Sequence, residues 1–219
     1  MNILYCEFAI VPLSRTNVPF YCGRVPKISE EYRTARRSEI ARAALRCFAR
    51  KGFDATSMAD IIAESGLSAG AIYGHYKSKN ELIQLTVADL LERRFDDLSG
   101  VLSAEHLVPP GELIGLFLRG VRSEIGDVSI LVQLWAAAVR DAELRRMASG
   151  IAAKIQGMFT HYLAAWHEQE GMPPAEAQER ARRESAICIG IAQGYIVQTA
   201  ILDDFDGDAY IASVQSVLR

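Results

Sequence analysis

Apolar residues recur along most of the chain at spacings of three and four, the period of amphipathic helices rather than strands. Ile40, Ala41, Ala44, Leu45 and Phe48 form one such stripe, on a helix expected to begin at Ser29 and to stop at Gly52 in a left-handed turn. Ser57-Met58-Ala59-Asp60 reads as a capping box with Asp in place of the more usual Glu. It opens a short helix with Met58, Ile61 and Ile62 inward, and Gly66 closes it. Leu67 then tucks inward, Ser68 caps a third helix, and Ile72 and Tyr76 fall on its buried side. A second box, Ser78-Lys79-Asn80-Glu81, starts a longer helix through Leu82, Leu85, Val87, Leu90, Leu91, Phe95 and Leu98. Two boxes and two terminating glycines in register with these periods predict a helix-turn-helix.

The same period continues to the C-terminus. Pro109-Pro110 begins a helix through Leu113, Ile114, Phe117, Gly120 and Val121, and another starts at Asp127 or Val128 and carries Leu131, Leu134, Trp135 and Val139. After Arg140-Asp141 a long helix runs through Leu144, Met147, Ile151, Ile155, Met158, Tyr162 and Trp166 and ends at Gly171. A second long helix spans about Pro174 to Leu202, and a short one holds Tyr210, Ile211, Val214, Val217 and Leu218. The fold class is all-α. The organisation expected is an irregular arm over 1–28, a helix-turn-helix domain over 29–82 and a helical ligand-binding and dimerisation domain over 83–219. For residues 1–28, with Pro12, Pro19, Pro26 and Gly23 and no sustained period, a start codon placed too far upstream of a unit beginning near Val25 is an equally open reading.

Charge distribution changes the picture more than net charge, which is only -3. Residues 1–82 carry 12 Lys/Arg against 8 Asp/Glu, and residues 83–219 carry 12 against 19. One module is thus suited to a polyanion and the other is not. The outer face of the first long helix is almost uniformly basic: Arg33, Arg36, Arg37, Arg42, Arg46, Arg50 and Lys51.

Cys6, Cys22, Cys47 and Cys188 form no Cys-x-x-Cys pair and have no His at metal-ligand spacing, so no metal or cofactor is expected, and Cys47 and Cys188 read as small core residues. No apolar run is long enough for a membrane span, and Met1–Leu13 lacks a basic leader region, so the expected location is cytoplasmic. No nucleophile elbow, phosphate loop or acid–base constellation supports an enzyme, and no catalytic residue is assigned. A helical adaptor acting through protein contacts alone would not need the basic face.

The run from Ile40 through Leu82 resembles the DNA-binding domain of the tetracycline-repressor (TetR) family of bacterial regulators. Phe48, Gly52, Thr56, Ser57, Ile61, Ala63, Gly66, Leu67, Ser68, Gly70, Tyr73, His75, Tyr76, Lys79 and Leu82 carry the resemblance. It departs from the family pattern by Tyr76 where Phe is usual. The resemblance implies that Thr56, Ser57, Ser68, Tyr73, His75 and Lys79 contact the phosphate backbone of a double-stranded operator. Lys79 also opposes the helix dipole at the start of its helix, a conflict that a phosphate would remove. Gly70 lets the backbone approach DNA, and base reading falls to Ser68, Ala69, Ala71 and Gly74. None of these can make a bidentate base contact, so thymine methyls and DNA shape are expected to dominate readout. Arg33, Arg36 and Arg37 could reach a flanking minor groove.

In the C-terminal half, Ala186, Gly190 and Gly194 recur every four residues. Close packing against a second subunit, as the resemblance implies for a homodimer, and close packing within one subunit are both open. Phe117, Trp135, Met158, Tyr162, Trp166, Tyr195 and Gln198 are candidates to surround a small, mostly apolar inducer, with Arg122 and Gln133 as polar anchors; for each, core packing is the plainer alternative. The function expected is a ligand-responsive, homodimeric repressor released from a palindromic operator.

Overall fold

The computed structural model describes residues 30–102 and 104–218; the arm expected over 1–28 lies outside them. Among the described residues every regular element is a helix: α1 (Glu30–Lys51), α2 (Met58–Ser65), α3 (Ala69–Tyr73), α4 (Lys79–Leu102), α5 (Pro110–Ile125), α6 (Ser129–Arg140), α7 (Ala142–Gln169), α8 (Pro174–Ile201) and α9 (Gly207–Val217). None is long and apolar enough to cross a membrane.

Local chemistry sets most boundaries. Gly52 and Gly66 adopt φ of 83° and 69°, where a side chain would be strained. Asp141 caps α7 by accepting from the amides of Glu143 and Leu144, and Asp206 caps α9 by accepting from those of Asp208 and Ala209. Pro110 and Pro174 stand in the first turns of α5 and α8, where a missing N–H costs nothing.

Two cores organise the described residues. The first gathers Ile40, Phe48, Phe53, Ile61, Ile72 and Tyr76 from α1–α3 and their turns, with Leu82 and Ile83 of α4. It does not stop at the helix-turn-helix, because Ile130, Leu134, Ala137 and Ala138 of α6 and Leu144 of α7 belong to it. The second core lies among α5, α7, α8 and α9, with α7 and α8 making the most extensive helix pair. α4 runs unbroken from one core to the other, past the boundary expected at residue 82. It is tied to α5 through Glu124, whose carboxylate accepts from Arg93 (3.3 Å) and Arg94 (3.0 Å). Gly111 seals the α5–α9 seam: its amide donates to the Leu218 carbonyl (2.9 Å), and an added Cβ would lie 2.7 Å from the Gln215 backbone.

Candidate nucleic-acid interface and effector cavity

The recognition unit is held by reciprocal caps. Ser57 Oγ accepts from the Asp60 amide (3.2 Å) while the Asp60 carboxylate accepts from the Ser57 amide (2.9 Å), completing the first box. Ser68 Oγ accepts from the Ala71 amide (3.2 Å) and so fixes the start of α3. The second box is half formed. Ser78 Oγ accepts from the Glu81 amide, but the Glu81 carboxylate reaches back to the amide of Lys77 instead of Ser78. The outcome is a five-residue α3 with Ile72 fully buried beneath it and Ser68, Ala69, Gly70, Tyr73 and Gly74 exposed, while Ala71 and His75 are half-buried. Tyr73, about half exposed, is a large apolar-bodied side chain left in solvent beside that helix.

Three expected backbone contacts need revision. The Thr56 side chain is buried, and its hydroxyl donates to the carbonyls of Gly52 (2.7 Å) and Cys47 (3.3 Å). It closes the α1–α2 turn instead of facing outward. Lys79 turns inward: its ammonium donates to the carbonyls of Phe53 (2.7 Å), Thr56 (2.9 Å) and Asp54 (3.3 Å) and stands 4.4 Å from the Phe53 ring centroid. All three N–H donors are thereby occupied, and desolvation there lowers its pKa. The carbonyls, rather than a phosphate, relieve the dipole conflict. The Ser57 hydroxyl is exposed, but its proton is directed to Asp60 (2.7 Å), leaving its lone pairs to the cap.

The basic face of α1 divides in two. Towards its C-terminus, Arg46 and Arg50 pair with Glu64, and Lys51 pairs with Asp60. These cations clamp α2 and hold both carboxylates below their usual range, through hydrogen bonds from Lys51 and Ser57 to Asp60 and from Arg46 and Arg50 to Glu64. Towards its N-terminus, Arg33 and Arg37 are exposed and make no ion pair among the described residues. Arg36 donates to Glu39 (2.5 Å) and to the Tyr32 hydroxyl (2.7 Å). The fold brings all three arginines to His75: burial first, then the charges of Arg37, Arg33 and Arg36, lower its pKa. α3 and the N-terminal turns of α1 therefore share an electropositive face.

A different set of contacts joins this unit to the rest of the chain. Gln133 of α6, expected as a ligand anchor, instead accepts with Oε1 from the Phe53 amide (2.8 Å) in the α1–α2 turn. Arg140 donates to Asp54 (3.1 Å) and Asn80 to Glu143 (3.1 Å).

Beyond α6 lies a cavity of about 140 Å³. Its wall is formed by Val87, Leu90 and Leu91 of α4, Phe117, Val121 and Ile125 of α5, and Leu131, Leu134 and Trp135 of α6. Met147, Ala148, Ile151, Ala152 and Ile155 of α7 and Ile189, Ala192, Gln193 and Ile196 of α8 complete it. Of the residues expected to surround a ligand, Phe117 and Trp135 line this cavity and the others do not. Tyr162 is core, its hydroxyl donating to the Val108 carbonyl, and Met158 and Trp166 pack against the same core. Tyr195 is enclosed by the rings of Phe205 and Tyr210. Arg122 is exposed beside Gly207, and Gln198 lies by Gly194. The missed positions are mostly branched aliphatics, with Met147 and Gln193, interleaved with Ala148, Ala152 and Ala192, and that alternation of large and small residues on α7 and α8 was the available signal.

On α8, Ala186 and Gly190 face outward with exposed Ile187 and, about three turns beyond Gly190, Ile201. Gly194 differs: the Tyr210 hydroxyl of α9 lies 3.1 Å from where its Cβ would stand, so it accommodates a contact within the subunit. Cys47 and Cys188 are both buried free thiols, and burial followed by the nearby Glu184 pushes Cys188 up to about 11. They are core residues, as their positions in the helical pattern suggested.

Comparison with known proteins gives this arrangement a family. Residues 40–86 match the model described as bacterial regulatory proteins, tetR family, and residues 113–219 match that of the BetI-type transcriptional repressor C-terminal domain. The chain is 37% identical over 81 residues to the helix-turn-helix regulator YfiR of Bacillus subtilis, covering 37% of this chain and 38% of that one. It is 32% identical over 111 residues to TtgR of Pseudomonas putida, covering 51% and 46%. It therefore spans less than half the length of these curated relatives. The fold is shared with GusR of Salmonella enterica at a TM-score of 0.64 and 21% identity, covering 88% of this chain and 96% of that one. With a tetR-type helix-turn-helix joined to a repressor-type helical domain, the chain belongs to the TetR family of DNA-binding transcriptional regulators and is not an enzyme.

Proposed function

We propose that the protein is a homodimeric repressor that leaves a palindromic operator when a small, mostly apolar ligand enters the cavity bounded by α4–α8. One observation carries the reading: Leu134 of α6 belongs to the recognition-domain core and also lines the cavity, while its neighbour Gln133 binds the Phe53 amide. A ligand that displaces α6 must disturb the turn supporting α2 and, through the carbonyls gripped by Lys79, the start of α4. Ligand shifts the balance between two states only by binding them unequally, so its affinity for the DNA-competent state must be the lower.

DNA contact falls to the exposed positions of α3 and its flanks: Ser68, Ala69, Gly70, Tyr73 and Gly74, with Ala71 and His75 at the edge. Arg33 and Arg37 would extend the contact to flanking phosphates or a minor groove. The outward face of α8 around Ala186, Ile187, Gly190 and Ile201 is the surface offered to a second copy. Fixed spacing between the two recognition helices would then supply much of the specificity that hydrogen-bonded base reading does not.

The test is fluorescence anisotropy with duplexes from the chain's own promoter region, with and without ligand. Specific binding that weakens steeply with salt is expected. Gln133→Ala should keep specific binding but reduce ligand-induced release by about fivefold or more, the scale of an ordinary coupling energy. Full release by the variant would remove α6 from the route, and absence of any specific duplex binding at moderate salt would end the repressor reading.

A further inference from the structure

The apolar cavity has a charged threshold. Leu91, Met147 and Ile151 line both the cavity and an open groove between α4 and α7. Arg146 and Lys154 edge that groove, eight residues apart on α7 and so separated by about 12 Å along its axis. Between them stands Gly150, where an added Cβ would meet nothing within 4 Å, so the gap is open. Both cations are exposed, and neither makes an ion pair or hydrogen bond among the described residues. Arg145, immediately beside Arg146, is by contrast committed to the carbonyls of Ala138 and Val139. The groove's one carboxylate, Glu143, is engaged by Asn80, and its remaining polar side chain is Gln84. Inside the cavity the lining is aliphatic and aromatic apart from Gln193.

We infer that the effector is an amphipathic anion, with a hydrocarbon tail in the cavity and a carboxylate or similar head group in the groove between Arg146 and Lys154. The inference rests on the cavity being the effector site. A charge buried within that lining would lose its hydration without a partner, whereas at the groove it keeps water and gains two free cations. Met147, unbranched and flexible, stands in the layer the tail must pass and can move aside for it.

Three straight-chain probes with tails of nine or ten carbons and different head groups separate the possibilities: decanoate, decan-1-ol and decyltrimethylammonium. Each is titrated below its solubility limit or micelle concentration into the full chain, following tryptophan fluorescence, since Trp135 lines the cavity. Decanoate should bind about tenfold more tightly than decanol, and the cationic probe more weakly than either. In Arg146→Ala/Lys154→Ala the ratio of decanoate to decanol affinity should fall to about one, while Arg146→Lys should retain most of it, because these are exposed side chains whose charge is the operative property. Equal binding of acid and alcohol by the unaltered chain, or a preference that survives the double variant, would overturn the anion while leaving the cavity as effector site. Tighter binding of the cationic probe would overturn it in the same way. If none of the three binds, the effector-site reading falls with it.

Discussion

The recognition unit and the C-terminal domain are both built of helices but held by different forces. In the former, short helices are fixed by polar groups close in sequence, Ser57 with Asp60 and Ser68 with Ala71, and then clamped by Arg46, Arg50 and Lys51. In the latter, long helices meet along apolar seams, with small residues where they approach and a void where they do not. A cap has one satisfactory geometry, whereas an aliphatic surface tolerates several with similar energies. The rigid half suits a reader whose geometry must match DNA, and the adaptable half suits a pocket that must respond to occupancy.

The largest expected effect strikes the C-terminal domain alone. Gly111→Ala would drive a Cβ into backbone atoms of Gln215, Val214 and Leu218, which cannot rotate away. Overpacking of this kind costs about 2–3 kcal/mol, to be read from urea unfolding followed by tryptophan fluorescence. Both tryptophans, Trp135 and Trp166, lie on that side of the molecule. An unchanged midpoint would mean that the α5–α9 seam is looser than its geometry.

A smaller effect sharpens the other half. Lys79→Met should cost about 2 kcal/mol, since it strips three carbonyls of a charged donor, yet it should leave the salt dependence of DNA binding almost unaltered. Arg37→Ala should do the reverse, sparing stability and reducing the salt slope by about one. A fall in slope with Lys79→Met would return that ammonium to the phosphates.

The smallest effect is one of pH. Asp60 and Glu64 are both held below their unfolded values of 3.8 and 4.5 by hydrogen bonds from α1 and the cap. Their contribution is therefore fully present above the unfolded values and is lost as pH falls through the folded ones. Amide exchange in α2 should accelerate in strong acid before that in α7 and α8, and Asp60→Asn, which cannot titrate, should make α2 exchange faster already at neutral pH and leave a weaker acid dependence. Simultaneous loosening of both regions would contradict a clamp of this kind.

The same contrast explains what the sequence disclosed. Helix class, the α1–α4 boundaries and the exposed α3 set could be read because Gly52, Ser57, Gly66 and Ser68 act on neighbours one or two turns away. The roles of Lys79 and Gln133 could not, because their partners lie far along the chain: Lys79 reaches back to Phe53, and Gln133 spans eighty residues to the same turn. The cavity was hidden for a related reason. Of the aromatics chosen by type, Phe117 and Trp135 reach the cavity but Tyr162 and Tyr195 are core, engaged by the Val108 carbonyl and by the rings of Phe205 and Tyr210, and the void opened where five helices converge on mostly aliphatic residues.

That Ile130, Leu134, Ala137, Ala138 and Leu144 complete the core beneath the recognition helices has a practical consequence for protein engineering. A fragment cut at residue 82 would present a bare apolar socket to water and be prone to aggregate. Grafting this operator specificity onto another sensor therefore means transplanting α6 and the start of α7 along with the first 82 residues, or rebuilding their contact side chains on the recipient. The transferable part is then a patchwork of two sequence segments, and chimaeras joined at the apparent domain border are expected to fail by misfolding before they fail by losing specificity.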